Sequence, residues 1–354
     1  MNPDMIRVGL IGAGGNVKAR HIPGFRGIDG VELVAVANRS EASGRKIADE
    51  FGIARVYADW RELIADDDVD AVCIGTWPYM HCPVTLAALE AGKHVLCEAR
   101  MSMDAAQSHQ MLAASRRHSN LVAQLVPSPF TLGIDGTIKA EIASGRLGNV
   151  LVVEMRFRVP GFLNNTKPMT WRQDEELSGL NAMGMGIGYE AMMRWTGHAT
   201  RVMANARTFC RPRPDEPGAR HGPGVPNHID IIADLPSGAV ANIQVSSVTG
   251  CSPYEEEGWI FGSEGTLKLD FDSSRVFAAY RDSGTMRLIS PSLDEQVGWR
   301  VEEEFINAIR GNETVSHTTF EDGVKYMEFT EAVMRSARSG AAVSLPLEDI
   351  PQNR

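Results

Sequence analysis

The chain lacks the features that mark several large classes of protein. It has only five cysteines in 354 residues, and their spacing is not that of a metal site. No apolar run is long enough to cross a bilayer, and there is no repeat or low-complexity tract. The net charge of -10 does not provide the basic face that nucleic-acid binding needs. We therefore expect no metal, no membrane partner and no nucleic-acid partner.

The cysteines and the start of the chain bear on cellular location. Cys73 and Cys97 lie inside apolar runs, which is typical of reduced, buried thiols. The first five residues enter a strand pattern directly, without the apolar stretch of a signal peptide. We therefore expect a cytoplasmic protein.

The first third of the sequence alternates between two patterns. Short β-branched runs predict strands, and the segments between them have helical periodicity. The predicted strands are Ile6–Ile11, Leu33–Ala37, Ala71–Ile74, His94–Cys97 and Leu121–Val126. The predicted helices are Val17–Gly24, Glu41–Phe51, Trp60–Ala65, Val84–Ala91 and Asp104–Arg117. This alternation predicts an α/β domain over residues 1–127, a Rossmann-type doubly wound parallel sheet.

The pattern changes after residue 127. Longer alternating runs such as Val150–Val159 and His228–Leu235 predict an open, mainly antiparallel sheet. Two helices accompany it, near Gly186–Trp195 and Glu321–Arg338. We predict an α+β domain over residues 128–354, with one sheet face free for subunit contact in a homodimer or homotetramer.

A glycine-rich loop follows the first predicted strand. Gly12 permits a tight turn, and Gly14 and Gly15 let a pyrophosphate approach the backbone at the start of a helix. Asn16 and Val17 continue the loop, although the strict motif has a small residue where Val17 stands. We predict that these five residues bind a nicotinamide dinucleotide.

The end of the second strand bears on the choice of cofactor. An NAD-selective site usually has a carboxylate here, whereas this chain has Asn38, Arg39 and Ser40. Arg39 and Ser40 can bind a 2′-phosphate, which favours NADP slightly over NAD. If Arg39 only stacks on the adenine, either cofactor fits.

Several motifs in sequence order resemble the glucose–fructose oxidoreductase/inositol dehydrogenase/MocA (Gfo/Idh/MocA) family over essentially the whole chain. They are His21-Ile22-Pro23, Thr76 to His81, Ala88 to Glu98, Lys139 to Gly148 and Gly262 to Leu267. The resemblance implies a Rossmann domain followed by an open-sheet domain that carries the substrate site. It also places Thr76, Trp77 and His81 at the cofactor, with Trp77 where the family has proline.

The departures from the family pattern concern catalysis. The family's Glu-Lys-Pro reads Glu98-Ala99-Arg100, and its Asp-x-Gly-x-His-x-x-Asp falls on Gly184, Gly186, Gly188 and Ala191. The lysine, histidine and aspartate that relay a proton in the family are therefore missing. The missing side chains predict a pocket that is wider than usual, lined by Glu98, Arg100, Tyr189 and Trp171-Arg172. The alternative is a collapsed cleft filled by Met183 and Met185.

Three residues are candidates for the missing acid–base group. Glu98 orients the cofactor or acts as a base, Tyr189 adjoins the vacated histidine position, and Lys167 offers an ammonium group. Arg100 is a poor base but can pair with an anionic substrate. Further candidate substrate contacts are Gln124, Trp171, Arg172 and His228.

These observations lead to one functional prediction with two alternatives. We predict an NAD(P)-dependent oxidoreductase acting on a sugar, polyol, glycoside or related hydroxy or carbonyl compound, with a non-standard acid–base arrangement. One alternative retains the cofactor for an internal redox cycle, giving lyase, epimerase or glycosidase chemistry. The other is a catalytically silent cofactor-binding or regulatory protein. The sequence does not name the substrate.

Overall fold

The computed structural model describes residues 5–159, 161–162, 170–209, 224–252, 256–290 and 298–350. It divides into two compact units. Of the described residues, the first unit contains those of 5–127 and Arg300–Val324, and the second contains those of 128–299 and Lys325–Ile350. The sequence predicted one uninterrupted second domain from 128 to 354. Residues 300–324 belong instead to the first unit, where Thr318 and Leu125 exchange backbone hydrogen bonds.

The strands and helices have the following bounds. The strands are β1 (Ile6–Ile11), β2 (Val31–Ala37), β3 (Arg55–Tyr57), β4 (Ala71–Ile74), β5 (His94–Cys97), β6 (Ala123–Leu125), β7 (Val150–Arg158), β8 (Arg201–Arg207), β9 (His228–Asp234), β10 (Val240–Ser246), β11 (Glu256–Gly262), β12 (Gly265–Asp270), β13 (Arg275–Tyr280), β14 (Arg287–Ile289) and β15 (Val343–Ser344). The helices are α1 (Ile22–Arg26), α2 (Glu41–Phe51), α3 (Trp60–Ile64), α4 (Pro78–Glu90), α5 (Ala105–Arg117), α6 (Asp135–Ala143), α7 (Glu175–Ser178), α8 (Met185–Thr196), α9 (Val301–Ile309) and α10 (Phe320–Ser339).

The first unit is built on a six-stranded sheet in the order β3-β2-β1-β4-β5-β6. Every neighbouring pair is parallel. The strand order reverses between β1 and β4, and ligands of doubly wound sheets bind outside the carboxyl ends of the strands at such a point. The glycine loop after β1 and Glu98 after β5 both follow carboxyl ends at this edge. The predicted doubly wound sheet is confirmed.

The second unit contains a nine-stranded sheet in the order β14-β13-β12-β11-β7-β10-β9-β8-β15. Only the β7–β10 pair is parallel, so the predicted mainly antiparallel sheet is confirmed. Alternation along β7 buries Val153, Met155 and Phe157. The opposite face of the sheet includes Met203 and Ile232, which are paired in register and are 51% and 53% exposed.

Among the helices of the described residues, none combines the length and the apolar character that a membrane span requires.

Candidate cofactor and redox site

The glycine loop has the geometry of a phosphate-binding turn. Gly12 has a φ of 84°, and a Cβ placed on it would lie 2.7 Å from the backbone nitrogen of Thr76. A Cβ on Gly15 would meet nothing within 4 Å among the described residues. Gly12 is therefore required by the turn itself, and Gly15 leaves the backbone open to a ligand.

The valine that departs from the strict motif is accommodated by another glycine. Val17 is 2% exposed and begins a π-helical turn, Val17–His21, that leads into α1. A Cβ on Gly75, at the end of β4, would lie 2.2 Å from Val17 Cγ2. The close helix–strand approach thus depends on Gly75. The side chain of Val17 packs into the core, which corrects its prediction as a cofactor contact.

The three residues that follow β2, numbers 38–40, make different contacts. Asn38 Oδ1 accepts a 2.7 Å hydrogen bond from the backbone N–H of Ala13, so this amide braces the glycine loop. Ser40 caps α2 by accepting from the N–H of Ser43 at 3.3 Å. Arg39 is exposed, and its guanidinium carbon lies 5.3 Å from the centre of the Trp77 ring. Arg39 and Trp77 together therefore offer a cationic and aromatic surface.

His81 joins two loops of the first unit. It is fully buried, and its ring nitrogens lie 2.8 Å from the carbonyl oxygen of Arg100 and 3.0 Å from that of Thr76. Burial lowers the pKa of His81. With both nitrogens facing backbone carbonyls, His81 positions the loops after β4 and β5, and this corrects its prediction as a direct cofactor contact.

Thr76 has an unused polar atom beside the glycine loop. Its Oγ1 is buried and has no hydrogen-bond partner within the described part of the chain. Thr76 also lies against Gly12. A buried hydroxyl of this kind usually has a partner, so Thr76 fits a contact to a bound group at the loop.

Glu98 is held by three donors. Its Oε1 accepts from Asn16 Nδ2 and lies 2.9 Å from His21 Nε2, and its Oε2 accepts from the N–H of Ala99 at 3.2 Å. Burial alone would raise the pKa of Glu98, but the hydrogen bonds from His21 and Asn16 lower it below its ordinary value. The side chain is 13% exposed, so an ionised carboxylate reaches the surface of this unit.

Behind Glu98, His21 contacts a second carboxylate. His21 is completely buried, and its Nδ1 is hydrogen-bonded to Oε1 of Glu302, a side chain in the first turn of α9 that is 4% exposed. Although burial lowers the pKa of His21, the hydrogen bonds to Glu302 and Glu98 raise it to about 9. His21 is therefore an imidazolium between two carboxylates at neutral pH, a group that we call the Glu98–His21–Glu302 cluster.

A glycine makes room for the far carboxylate. A Cβ on Gly24, in α1, would lie 2.7 Å from both Cδ and Oε2 of Glu302. The amino end of α9 also favours a negative charge on Glu302. The sequence patterns point to His21 only as part of the motif His21-Ile22-Pro23, and they do not predict Glu302 as a site residue. Glu302 opens the run Glu302-Glu303-Glu304, which looks like an ordinary acidic helix start.

Two predicted substrate residues of the first unit are buried. Gln124 is fully buried, and its Nε2 donates to Glu304 Oε2 at 2.7 Å and to the carbonyl oxygen of His317 at 3.0 Å. This placement corrects the prediction of a substrate contact, because the amide links β6 to the segment after α9. Arg100 is 5% exposed, and that burial argues against its pairing with a substrate anion.

In the second unit, Tyr189 belongs to the core. It is fully buried and stacks on Phe329 at a ring separation of 3.5 Å. Its hydroxyl lies 2.7 Å from His198 Nδ1 and accepts from the N–H of Ala199 at 2.8 Å. Burial raises the pKa of Tyr189 well above its ordinary value. These contacts do not fit the predicted role of replacement donor or base.

The vacated positions at the start of α8 differ from one another. A Cβ on Gly188 would lie 2.4 Å from the Phe157 ring, so that ring already fills the space where the family has a side chain. A Cβ on Gly184 would meet nothing within 4 Å among the described residues. The prediction of added space therefore fails at Gly188, whereas the space beside Gly184 is open.

A buried ionic network lies beside these glycines. Arg194, whose side chain is 7% exposed, pairs with Asp135 at 2.6 Å and with Glu190 at 2.7 Å. Glu190 also accepts from the N–H of Ser128 at 2.8 Å. This network ties the start of α6 and the Ser128 backbone to α8.

The other predicted site residues of the second unit have local partners. The Arg172 guanidinium carbon lies 4.2 Å from the centre of the Trp171 ring. His228 lies 3.0 Å from Ser246 Oγ and 2.9 Å from Asp230 Oδ2, so its ring bridges side chains of β9 and β10. Lys167 lies outside the described residues. Among the side chains that the structure describes, no group of three or more potential ligands could hold a metal ion.

Comparison with known proteins agrees with this architecture. Residues 6–125 match the family model described as an oxidoreductase family with an NAD-binding Rossmann fold. Residues 136–268 match the model of the GFO/IDH/MocA C-terminal domain.

Two relatives and one solved structure illustrate matches that span nearly the whole chain. D-xylose 1-dehydrogenase (NADP(+)) 2 of Haloferax volcanii is 27% identical, and the match covers 95% of this chain and 99% of the relative. Inositol 2-dehydrogenase of Acidothermus cellulolyticus is 26% identical, with 98% and 96% covered. A levoglucosan dehydrogenase structure in complex with NADH superposes with a TM-score of 0.85 at 21% identity, covering 96% of this chain and 99% of that one. That structural likeness concerns the fold alone.

Proposed function

The chain belongs to the Gfo/Idh/MocA family of NAD(P)-dependent oxidoreductases, and on that premise we propose that it interconverts a hydroxyl and a carbonyl group on a sugar, polyol or glycoside. The named relatives act on xylose and inositol, which are small polyhydroxylated compounds. The observation that carries the proposal is an ionised, partly exposed Glu98 at the same sheet edge as an open glycine loop.

The residues of the first unit fit a nicotinamide dinucleotide. Gly12, Gly14, Gly15 and Asn16 would hold its pyrophosphate, with Thr76 Oγ1 as a further donor. When bound, the cofactor supplies or accepts the hydride. Among the described residues, Glu98 is the acid–base candidate that we favour, because Ala99 carries no ionisable group and Tyr189 is buried in the second unit. Lys167, which lies outside the described residues, stays a candidate as well.

NADP is the cofactor that we propose. Arg39 is exposed on the face of Trp77, and residues 38–40 contain no carboxylate that would repel a 2′-phosphate. Arg39→Ala should weaken binding of NADP by about tenfold or more while changing NAD binding less, since a charge-assisted hydrogen bond contributes about 1.5–3 kcal/mol. Equal losses for both cofactors would indicate stacking on the adenine instead.

The proposal is tested by titrating each cofactor against protein fluorescence and then assaying a panel of sugars, cyclitols and glycosides. We expect binding below millimolar concentration and absorbance change of the nicotinamide with at least one polyhydroxylated substrate. Tight binding without turnover on any substrate would favour a silent cofactor-binding protein. Failure of both cofactors to bind would overturn the proposal.

We also propose that the uncovered face of the second unit's sheet mediates self-association. Met203 and Ile232 are about half exposed there, and Trp259 and Phe261 stack on each other in β11 with ring centres 5.8 Å apart. Met203→Lys combined with Ile232→Lys should convert an oligomer to a monomer in light scattering. A wild-type monomer would contradict this assignment. The cytoplasmic location remains a prediction.

A further inference from the structure

The Glu98–His21–Glu302 cluster contains a proton that the proposed redox reaction can use. A carboxylate whose pKa is lowered is a weak base, and Glu98 is such a group. His21 lies directly behind it at 2.9 Å and is completely buried. Nε2 of the imidazole therefore faces the partly exposed carboxylate of Glu98, and Nδ1 on its other side contacts the carboxylate of Glu302.

Three further ionisable groups of the described residues interact with the carboxylates of the cluster, and all three are neutral at neutral pH. Cys73 and Cys97, from β4 and β5, are fully buried, and burial raises the pKa of each thiol. His81, from α4, has a pKa lowered by burial and is neutral on that account. Asn16 donates to Glu98 and carries no charge, and the Phe25 ring of α1 lies 6.5 Å from the imidazole centre. Two carboxylates and one imidazolium give the cluster a net charge of about −1.

We propose that His21 is the positioning residue that stores the proton of the redox reaction and exchanges it with substrate through Glu98, in place of the lysine absent at Ala99. The inference depends on the proposed function, because it places the cofactor's nicotinamide near Glu98. It assigns to this chain a proton site distinct from the three positions that the family uses.

The stored proton is used in the direction of carbonyl reduction. The carbonyl carbon takes a hydride with its electron pair from the bound cofactor, while the carbonyl oxygen takes a proton from Glu98, so that a C–H and an O–H bond replace the C=O π bond. The imidazolium of His21 supplies that proton from Nε2 to Glu98 Oε1 and becomes neutral. Alcohol oxidation reverses each transfer and starts from a neutral His21, so it is favoured as the pH rises through about 9. Loss of the positive charge of the oxidised nicotinamide strengthens proton binding by the cluster, so hydride and proton transfer favour each other.

The first test measures the proton on His21 in the free protein. Imidazole ¹⁵N NMR against pH should show both ring nitrogens protonated at neutral pH and titration near pH 9. Glu302→Gln should move that titration to lower pH, because it removes one negative charge and keeps a polar side chain. Glu303→Gln is the matched control, since Glu303 is the next residue in α9 and its side chain is 57% exposed. A neutral His21 at pH 7 in the wild type would overturn the proposal.

The second test needs only the cofactor. Affinities of the oxidised and reduced forms are measured by fluorescence between about pH 7 and about pH 10. A coupling of about one pKa unit would increase the affinity of the oxidised form relative to the reduced form about tenfold across this range. In Glu302→Gln the increase should shift to lower pH, and in Glu303→Gln it should match the wild type. If Glu302→Gln does not fold, Gly24→Ala is a second variant, because its added Cβ would displace the Glu302 carboxylate from His21.

The outcomes separate this inference from the proposed function. If neither cofactor binds, the proposed function fails. If both forms of the cofactor bind with an affinity ratio that stays constant while His21 titrates, the proposed function stands, and the role of His21 as a proton store is wrong. If the affinity ratio changes with pH, but over the same pH range in Glu302→Gln as in the wild type, the coupled proton is bound by another group. That result also overturns the proposal.

Discussion

The stability of the first unit should fall as the pH rises from near neutrality to about 9. The pKa of His21 is 6.5 in an ordinary environment and about 9 in the folded protein. Because the folded state binds this proton more tightly than the unfolded chain, the stabilisation is fully present below pH 6.5. It is lost as the pH rises through about 9.

The magnitude follows from the same two pKa values. At about 1.4 kcal/mol for each pKa unit, a rise from 6.5 to about 9 corresponds to about 3 kcal/mol of unfolding free energy. His21 is completely buried, so solvent does not screen its two ion pairs. Loss of about 3 kcal/mol is a large part of the stability of a typical domain.

Other perturbed groups act at the edges of this pH window. The pKa values of His81, His94 and His198 are lowered, chiefly by burial, so their effects occur on the acid side of 6.5. Burial raises the pKa of Cys73, Cys82 and Cys97, so these thiols lower stability as the pH approaches 9.0, the ordinary thiol pKa at which the unfolded chain ionises. Because Glu302→Gln and Glu303→Gln keep all three thiols, the difference between these two variants reports on His21.

The assay is urea unfolding at a series of pH values for the wild type, Glu302→Gln and Glu303→Gln. The wild type and Glu303→Gln should lose about 3 kcal/mol across the window, and Glu302→Gln should lose clearly less. Parallel curves for all three proteins, or a wild-type curve that does not change with pH, would refute the protonated cluster.

Three further predictions concern other parts of the structure. Gly188→Ala should lower the free energy of unfolding by about 1–3 kcal/mol, because its Cβ would lie 2.4 Å from the Phe157 ring. Gly184→Ala should leave the stability nearly unchanged, and thermal unfolding of the two variants compares them. Arg194→Met should cost about 3–5 kcal/mol in urea unfolding, because it leaves Asp135 and Glu190 buried without their cation. Gly12→Ala should abolish cofactor binding in the fluorescence titration, because φ is 84° and the added Cβ would meet the Thr76 backbone; unchanged affinity would exclude this loop as the phosphate site.

The elements that the sequence predicted correctly are those with strong periodicity. The pattern of β1 places β-branched residues in a buried strand, and Glu41–Phe51 forms α2 with the predicted bounds. The sequence did not predict β3, which has three residues of intermediate burial, or α9. A short, partly exposed strand has too few residues to establish a period of two.

The errors at the site share a physical cause. The sequence predicts Tyr189 as an acid–base group, Gln124 as a substrate contact and His81 as a cofactor contact, because each is polar and lies near an expected site. In the structure their polar atoms bond to His198, Glu304 and two backbone carbonyls. A sequence shows that a side chain can donate or accept, but the partner that uses this capacity depends on the tertiary fold.

The cluster that carries our inference shows the same limit most clearly. His21 and Glu302 are 281 residues apart, and they meet because residues 300–324 return to the first unit. The sequence around each residue does not indicate that it contacts the other. Gly24, which makes room for the carboxylate, looks like an ordinary small residue in a helix. The sequence alone shows that the lysine is missing at position 99. The buried imidazolium behind Glu98 is recognised only in the folded structure. A departure from a family motif therefore indicates where chemistry has changed, and the side chains that contact the remaining residue determine what can replace it.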